Sequence, residues 1–199
     1  SAPAQINVPR DFWTQVIDIE LPAIVEFELP AGGQNALARA AELLSSAKFP
    51  VILNGGGVVI GNAIKDSMAL ADKLLAPVCC GYQHNDAFPG SHPLHTGTLG
   101  YNGSRASMEL IAKADVVLAL GTRLNPFSTL PGYGINYWPT TAAIIQVDIN
   151  ADRIGLTKPV TIGIVGDAKK VAKAILAQLS PTAGDADRNL RRETIEKIK

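Results

Sequence analysis

Val51-Ile52-Leu53-Asn54-Gly55-Gly56-Gly57 decides the fold of this chain, because an apolar β-branched run breaks there, without alternation, into one polar residue and three glycines. A short apolar run that lacks alternation reads as a strand covered on both faces, the habit of parallel sheets packed under helices. Three later stretches repeat the pattern: Val116 to Arg123, Ile144 to Asn150 and Val160 to Asp167. Ligands of open parallel sheets collect beyond the carboxyl ends of the strands. The polar tips therefore describe one candidate nucleotide cradle, made of Gly55, Gly56 and Gly57, then Gly121, Thr122 and Arg123, then Asp148 and Asn150, then Gly166 and Asp167.

Outward from these strands the chain alternates with helices. Asn35 to Ala47 repeats Leu37, Ala40, Ala41, Leu43 and Leu44 at helical spacing and feeds the first strand. A helix from about Asn62 to Leu75 leads to a strand at Val78 to Gly81. Another runs from Ser104 to Ala114, where Ser104-x-x-Ser107 offers an N-cap, and a last one spans Ala168 to Leu179. Helices interposed between buried strands imply right-handed crossovers, and so an α/β fold: a three-layer, doubly wound parallel sheet, Rossmann-like, with at least five strands.

The flanks read differently. Ala4 to Arg10 alternates like a strand, and residues 11–32, with Pro22, Pro30, Gly32 and Gly33, read as an extended connector. The domain proper is expected over 31–180. From Ser180 the chain turns small and polar and then charge-rich, so 181–199 reads as a linker. With no initiator Met and this polar finish, both ends look cut, and residues 1–30 look like the end of a preceding domain plus its connector.

Charge excludes some function classes. Lys plus Arg and Asp plus Glu number 18 each, so no net field draws the protein to nucleic acid or an acidic membrane, and neither is an expected partner. No stretch approaches the roughly 20 apolar residues that span a bilayer, and no basic segment precedes an apolar signal core, so a soluble, cytoplasmic protein is expected. Cys79 and Cys80 are adjacent in a predicted strand, where their side chains point to opposite faces and cannot form an ordinary structural disulfide. They suggest a reducing compartment and read as small buried hydrophobes rather than nucleophiles.

The tips carry the candidate chemistry. Gly55 to Gly57 follow a strand and precede a helix, so bare amides there can face an anion, or simply meet the demands of a turn. The spacing departs from G-x-G-x-x-G, with Ile60 where the third glycine belongs. Arg123 supplies a planar donor able to hold phosphate bidentately, unless it only bonds a loop carbonyl. Asp148 and Asn150 can accept from ribose hydroxyls. Asp167 fits better as the N-cap of the helix that follows.

The order of the tips, Gly-Gly-Gly, Gly-Thr-Arg, Val-Asp-Ile-Asn and Gly-Asp, resembles the central domain of thiamine-diphosphate enzymes of the acetolactate synthase type. Phe88-Pro89-Gly90-Ser91-His92-Pro93-Leu94, followed by Gly97, Gly100 and Gly103, is similar to that family's loop after the second strand, and Ala4 to Asp11 to the last strand of its pyrimidine-binding domain. Within the superfamily, Gly81 to Pro89 and Gly121 to Gly134 look most like the sulfoacetaldehyde acetyltransferases. The resemblance implies a full-length enzyme that turns sulfoacetaldehyde and phosphate into acetyl phosphate and sulfite with thiamine diphosphate and magnesium, as a homodimer or homotetramer. In that family the cofactor lies between two other domains, one giving a glutamate and the other a Gly-Asp-Gly motif with metal ligands. No Gly-Asp-Gly occurs here, so neither catalytic nor metal-binding residues are expected in this chain, and 181–199 would lead toward a diphosphate-binding domain.

Central domains of the family hold FAD, ADP or nothing, and the resemblance places such a nucleotide across the four tips. Leu124-Asn125-Pro126-Phe127 departs from the flavin pattern that follows Gly-Thr-Arg. Two alternatives stand beside the leading reading: a free-standing ADP, FAD or CoA module, and the central domain of an acetolactate synthase-like enzyme. His84, Asn85 and Asp86 form a polar cluster after the second strand that either approaches the chemistry or only bonds the loop backbone. His92 reads as a turn histidine, and Tyr101, Tyr133, Tyr137 and Trp138 as packing or interface residues.

Overall fold

Pro50–Asn54 forms strand β1, and all five of its residues are buried. Val116–Leu120 is buried just as completely. The other strands are Val78–Cys80 (β2), His95–Thr98 (β3), Ala143–Asp148 (β5) and Ile162–Val165 (β6), which makes Val116–Leu120 β4. They form one parallel sheet in the order β3-β2-β1-β4-β5-β6. The chain winds one way from β1 to β3 and then the other way from β4 to β6. The topological switch point, where such sheets bind ligands, therefore falls between β1 and β4. The computed structural model describes residues 4–180 and 185–199.

Side-chain alternation within the buried strands builds two cores. Ile52, Val78, Cys80, Leu118, Leu120, Ile145 and Val147 face the helices Gln34–Ser46 (α1), Ile64–Leu74 (α3) and Ala168–Gln178 (α5). Val51, Leu53, Cys79, Val117, Ala119 and Ile144 face the opposite layer, with Met108 and Ile111 of helix Arg105–Ile111 (α4) and the buried Leu124 and Tyr137. Each fully buried aliphatic side chain contributes about 1.5–3 kcal/mol, so both layers hold the sheet. The two cysteines lie on opposite faces, as alternation requires, and both are free. Burial pushes the Cys79 thiol up to about 11 and that of Cys80 up to about 12. Such thiols behave as small hydrophobes.

Several expectations need correction. β3 was read as loop, because four residues containing Gly97 at φ 103° make no hydrophobic run; its strand character comes from pairing with β2. The helix expected from Asn62 begins at Ile64, and a separate helical turn, Gly56–Ile60 (α2), precedes it, the break being set by Asn62 at φ 50°. Residues 4–9 form no strand: they are exposed and find no neighbour to pair with, and a 3₁₀ turn follows at Arg10–Thr14. Residues 15–30 carry no regular structure and leave Val16, Ile24 and Phe27 in solvent.

Residues 181–199 were read as a linker, yet Asp185–Ile198 form a helix (α6) that docks on the domain; 181–184 lie outside the described residues. The anchor is Arg191, only 2% exposed. Its guanidinium donates to the carbonyls of Ala47 and Lys48, just past the end of α1, and of Leu74 at the end of α3. Helix C-termini leave carbonyls unsatisfied and carry partial negative charge, so a buried cation shared by two of them holds α6 in place. Ile195, also buried, adds apolar contact. No helix among the described residues is long and apolar enough to cross a membrane.

Candidate nucleotide crevice

All the tip residues singled out in the sequence lie at the carboxyl ends of adjacent strands, and backbone bonds tie the tips together. The Gly55 amide donates to the Leu120 carbonyl (3.0 Å), Gly57 to Gly121 (2.8 Å), Gly121 to Val147 (2.9 Å) and Gly166 to Asp148 (2.9 Å). The sheet's ladder thus continues past its strands and forms a floor across the switch point. The glycines are needed for close approach. A Cβ on Gly57 would come within 2.7 Å of the Gly121 Cα, and one on Gly55 within 2.5 Å of the Gly121 carbonyl oxygen. Gly121 itself is at φ 60°, a conformation that strains other residues.

Two of the three amides in the glycine triplet are therefore spent on β4 rather than presented to an anion. The Gly56 amide and the side chains are what remain for a ligand. Arg123 is exposed and makes no side-chain hydrogen bond or ion pair among the described residues, while its carbonyl accepts from the Thr157 hydroxyl at 3.5 Å. Thr122 is buried and turns inward, its hydroxyl accepting from the Leu124 amide at 3.2 Å. One oxygen of Asp148 accepts from the Asn150 amide (2.9 Å), and the Asn150 side chain accepts from the Asp152 amide (2.9 Å). Both residues shape the turn after β5, and the second oxygen of Asp148 makes no hydrogen bond among the described residues.

Asp167 is the N-cap of α5, with Oδ1 accepting from the Lys169 and Lys170 amides at 3.1 and 3.0 Å. Its own amide donates to the Pro30 carbonyl, which pins the entry of the domain beside the β6 tip. Ser104 caps α4 as its spacing foretold, accepting from the Ser107 amide. His92 is a turn residue, with Nδ1 accepting from the Leu94 amide at 3.2 Å and Nε2 lying 3.4 Å from Asp72. Tyr137 is buried and donates to the Ser128 carbonyl, and burial pushes its phenol up to about 12. Tyr101 and Tyr133 are exposed; Trp138 carries the Lys158 ammonium 5.3 Å from its ring centre.

Two buried polar side chains shape the site without being singled out in the sequence as site residues. Gln146, at 1% exposure in the middle of β5, donates from its amide nitrogen to the carbonyls of Thr122 and Arg153, both at 3.1 Å, and accepts from the Gly155 amide at 2.9 Å. It holds the Arg123 loop to the turn after β5. Asn54, the last residue of β1, bonds Ser67 and the Ala87 carbonyl and so fixes the segment after β2 beside the glycine triplet. An alignment of strand positions would flag them only as amides where aliphatic residues are the rule.

The sequence model of the thiamine pyrophosphate enzyme central domain matches residues 37–175, from α1 to α5 and therefore across every tip of the crevice. The chain belongs to this family. A probable sulfoacetaldehyde acetyltransferase of Rhizobium meliloti (strain 1021) is 76% identical over 198 residues, spanning 100% of this chain and 34% of its own length. The sulfoacetaldehyde acetyltransferase of Roseovarius nubinhibens is 75% identical over 199 residues, spanning 100% of this chain and 33% of its own. The chain thus spans about a third of the length of these relatives. The solved benzoylformate decarboxylase of Polynucleobacter necessarius superposes with a TM-score of 0.69 at 22% identity, over 87% of this chain and 32% of that one, which shows a shared fold.

Among the described residues no group of three or more His, Cys, Asp or Glu is placed to hold a metal ion, and the crevice donors are a lone guanidinium and scattered side chains.

Proposed function

We propose that this chain is the central domain of a sulfoacetaldehyde acetyltransferase, an enzyme that converts sulfoacetaldehyde and phosphate to acetyl phosphate and sulfite with thiamine diphosphate and magnesium. The observation that carries the reading is the 76% and 75% identity, over the whole chain, to relatives of that name. In this reading thiamine diphosphate would be held between two other domains, a pyrimidine-binding domain that ends within residues 1–30 and a diphosphate-binding domain beyond the C-terminal residues, and would supply the carbon chemistry when bound. The complete enzyme is cytoplasmic and assembles as a homodimer or homotetramer. The central domain contributes architecture and a nucleotide crevice at the β1/β4 switch point, contacted by the tip residues from Gly55 to Asp167. An ADP- or FAD-like ligand fits the exposed Arg123 guanidinium and the open oxygen of Asp148.

The test is transplantation. Replacing the matching third of the Roseovarius protein with these residues should give a folded chimera that forms acetyl phosphate from sulfoacetaldehyde and phosphate. The isolated chain, supplied with thiamine diphosphate and magnesium, should show no turnover. A folded but inactive chimera, or an active isolated chain, would refute the assignment.

A further inference from the structure

We propose that His84 is a ligand-contacting residue of the switch-point crevice, its imidazole donating a hydrogen bond to a tetrahedral oxyanion, phosphate or sulfonate, seated beside the ring at the tip of β1. The inference rests on reading that crevice as a ligand site.

The position of the ring is set by the backbone around it. After β2 the His84 amide donates to the Gly81 carbonyl at 2.9 Å, and the chain enters a 3₁₀ turn at Asn85–Ala87. That turn is held to the end of β1 through Asn54, whose amide nitrogen donates to the Ala87 carbonyl at 3.0 Å. The imidazole is thereby laid across the tip of β1. A Cβ on Gly56 would lie 2.6 Å from its Cε1 and 2.8 Å from its Nε2, so the ring fills the volume that any other side chain would need. The glycine triplet is then fully accounted for: Gly55 and Gly57 make room for the β4 tip, and Gly56 makes room for His84.

The ring has no hydrogen bond or ion pair among the described residues, although it is half-buried. Holding the loop backbone, the bland role its sequence position allowed, is not what the side chain does. The other histidines differ in place and surroundings. His92 is engaged by Leu94 and Asp72, and His95 stacks on Phe88 at the start of β3, away from the tips. With the Gly55 and Gly57 amides spent on β4, His84 is a free side-chain donor above β1 among the described residues. Arg123, exposed after β4 on the other side of β1, is a second side-chain donor at the tips without a hydrogen bond or ion pair among the described residues. Imidazole donates from at least one ring nitrogen in either protonation state, and an arginine fork complements the same class of anion.

Two sources supply such an anion: the diphosphate of a nucleotide, or a small phosphate or sulfonate reactant. The 199-residue chain is titrated with ADP, inorganic phosphate and ethanesulfonate by calorimetry, while the His84 ring is followed by imidazole nitrogen NMR. At least one probe should bind and shift the His84 signals. ADP alone would identify a nucleotide, and the two small anions would identify a reactant. His84→Ala should weaken that probe about ten-fold or more, whereas His84→Gln, which keeps a donor, should stay within about three-fold. Gly56→Ala should displace the ring and reproduce the loss. A probe that binds wild type and His84→Ala equally would overturn the proposal and leave the crevice standing; no binding by any probe at millimolar concentration would overturn both.

Discussion

Replacing Gln146 with leucine tests whether one buried amide aligns the crevice. The two side chains have similar volume, so Gln146→Leu opens little cavity and introduces little strain. What it removes are three hydrogen bonds, to the Thr122 and Arg153 carbonyls and from the Gly155 amide, at a position 1% exposed. Each is worth about 1 kcal/mol net when formed, and a buried group left unpaired costs about 1–3 kcal/mol, partly offset by the added apolar surface. The expected loss is therefore about 2–4 kcal/mol. With an m-value of about 2 kcal/mol/M in urea, the midpoint should fall by about 1–2 M, with m unchanged. The variant should also expose the Thr122–Arg123 segment, read as faster amide exchange there but not in β1. A midpoint within about 0.25 M of wild type would refute the reasoning, because it would mean that the groups find water or other partners as easily as they find Gln146.

Other perturbations follow the same logic. Arg191→Ala should release α6, seen as rapid proteolysis within 185–198, while the rest of the domain keeps its circular dichroism; an α6 that stays protected would remove the arginine from its anchoring role. Native Cys79 and Cys80 should resist iodoacetamide at pH 8 and react only on unfolding. Their folded pKa values, about 11 and about 12, are raised above the free-thiol value, so the stability they contribute is complete below about pH 9 and is lost as pH rises toward those values. An alkaline titration with no such decline in unfolding midpoint would contradict that burial. Asp167→Ala should lower stability by about 1 kcal/mol through the lost cap of α5, measured by thermal unfolding; no change would mean that the Lys169 and Lys170 amides are satisfied without it.

The sequence carried β1 and β4 plainly, because strands buried on both faces leave unbroken apolar runs, and β5 nearly as plainly, with Gln146 as the one interruption before its tip. It carried α1 and α5 through helical spacing. β3 was illegible, since its four residues become a strand only by lying beside β2. α6 was hidden for a related reason: a helix docked through one buried arginine looks, residue by residue, like a solvated charged tail. At the site, the tips could be located but not their orientation. Which amides β4 consumes, where the His84 ring lies and which loops Gln146 joins are all tertiary facts, set by contacts between segments far apart in the chain.

The ladder that runs on past the strand ends has an evolutionary consequence. Its floor is built of main-chain bonds between Gly55, Leu120, Gly57, Gly121 and Val147, which are indifferent to the side chains around them. Under the proposed reading of the crevice, drift at the rim would alter which molecule is held without disturbing the platform beneath. In that reading a lineage would trade one guest for another, or abandon guests altogether, by a few substitutions at positions such as His84 and Arg123. The glycines beneath stay locked by contact with one another, since neither Gly57 nor Gly121 has room to change alone.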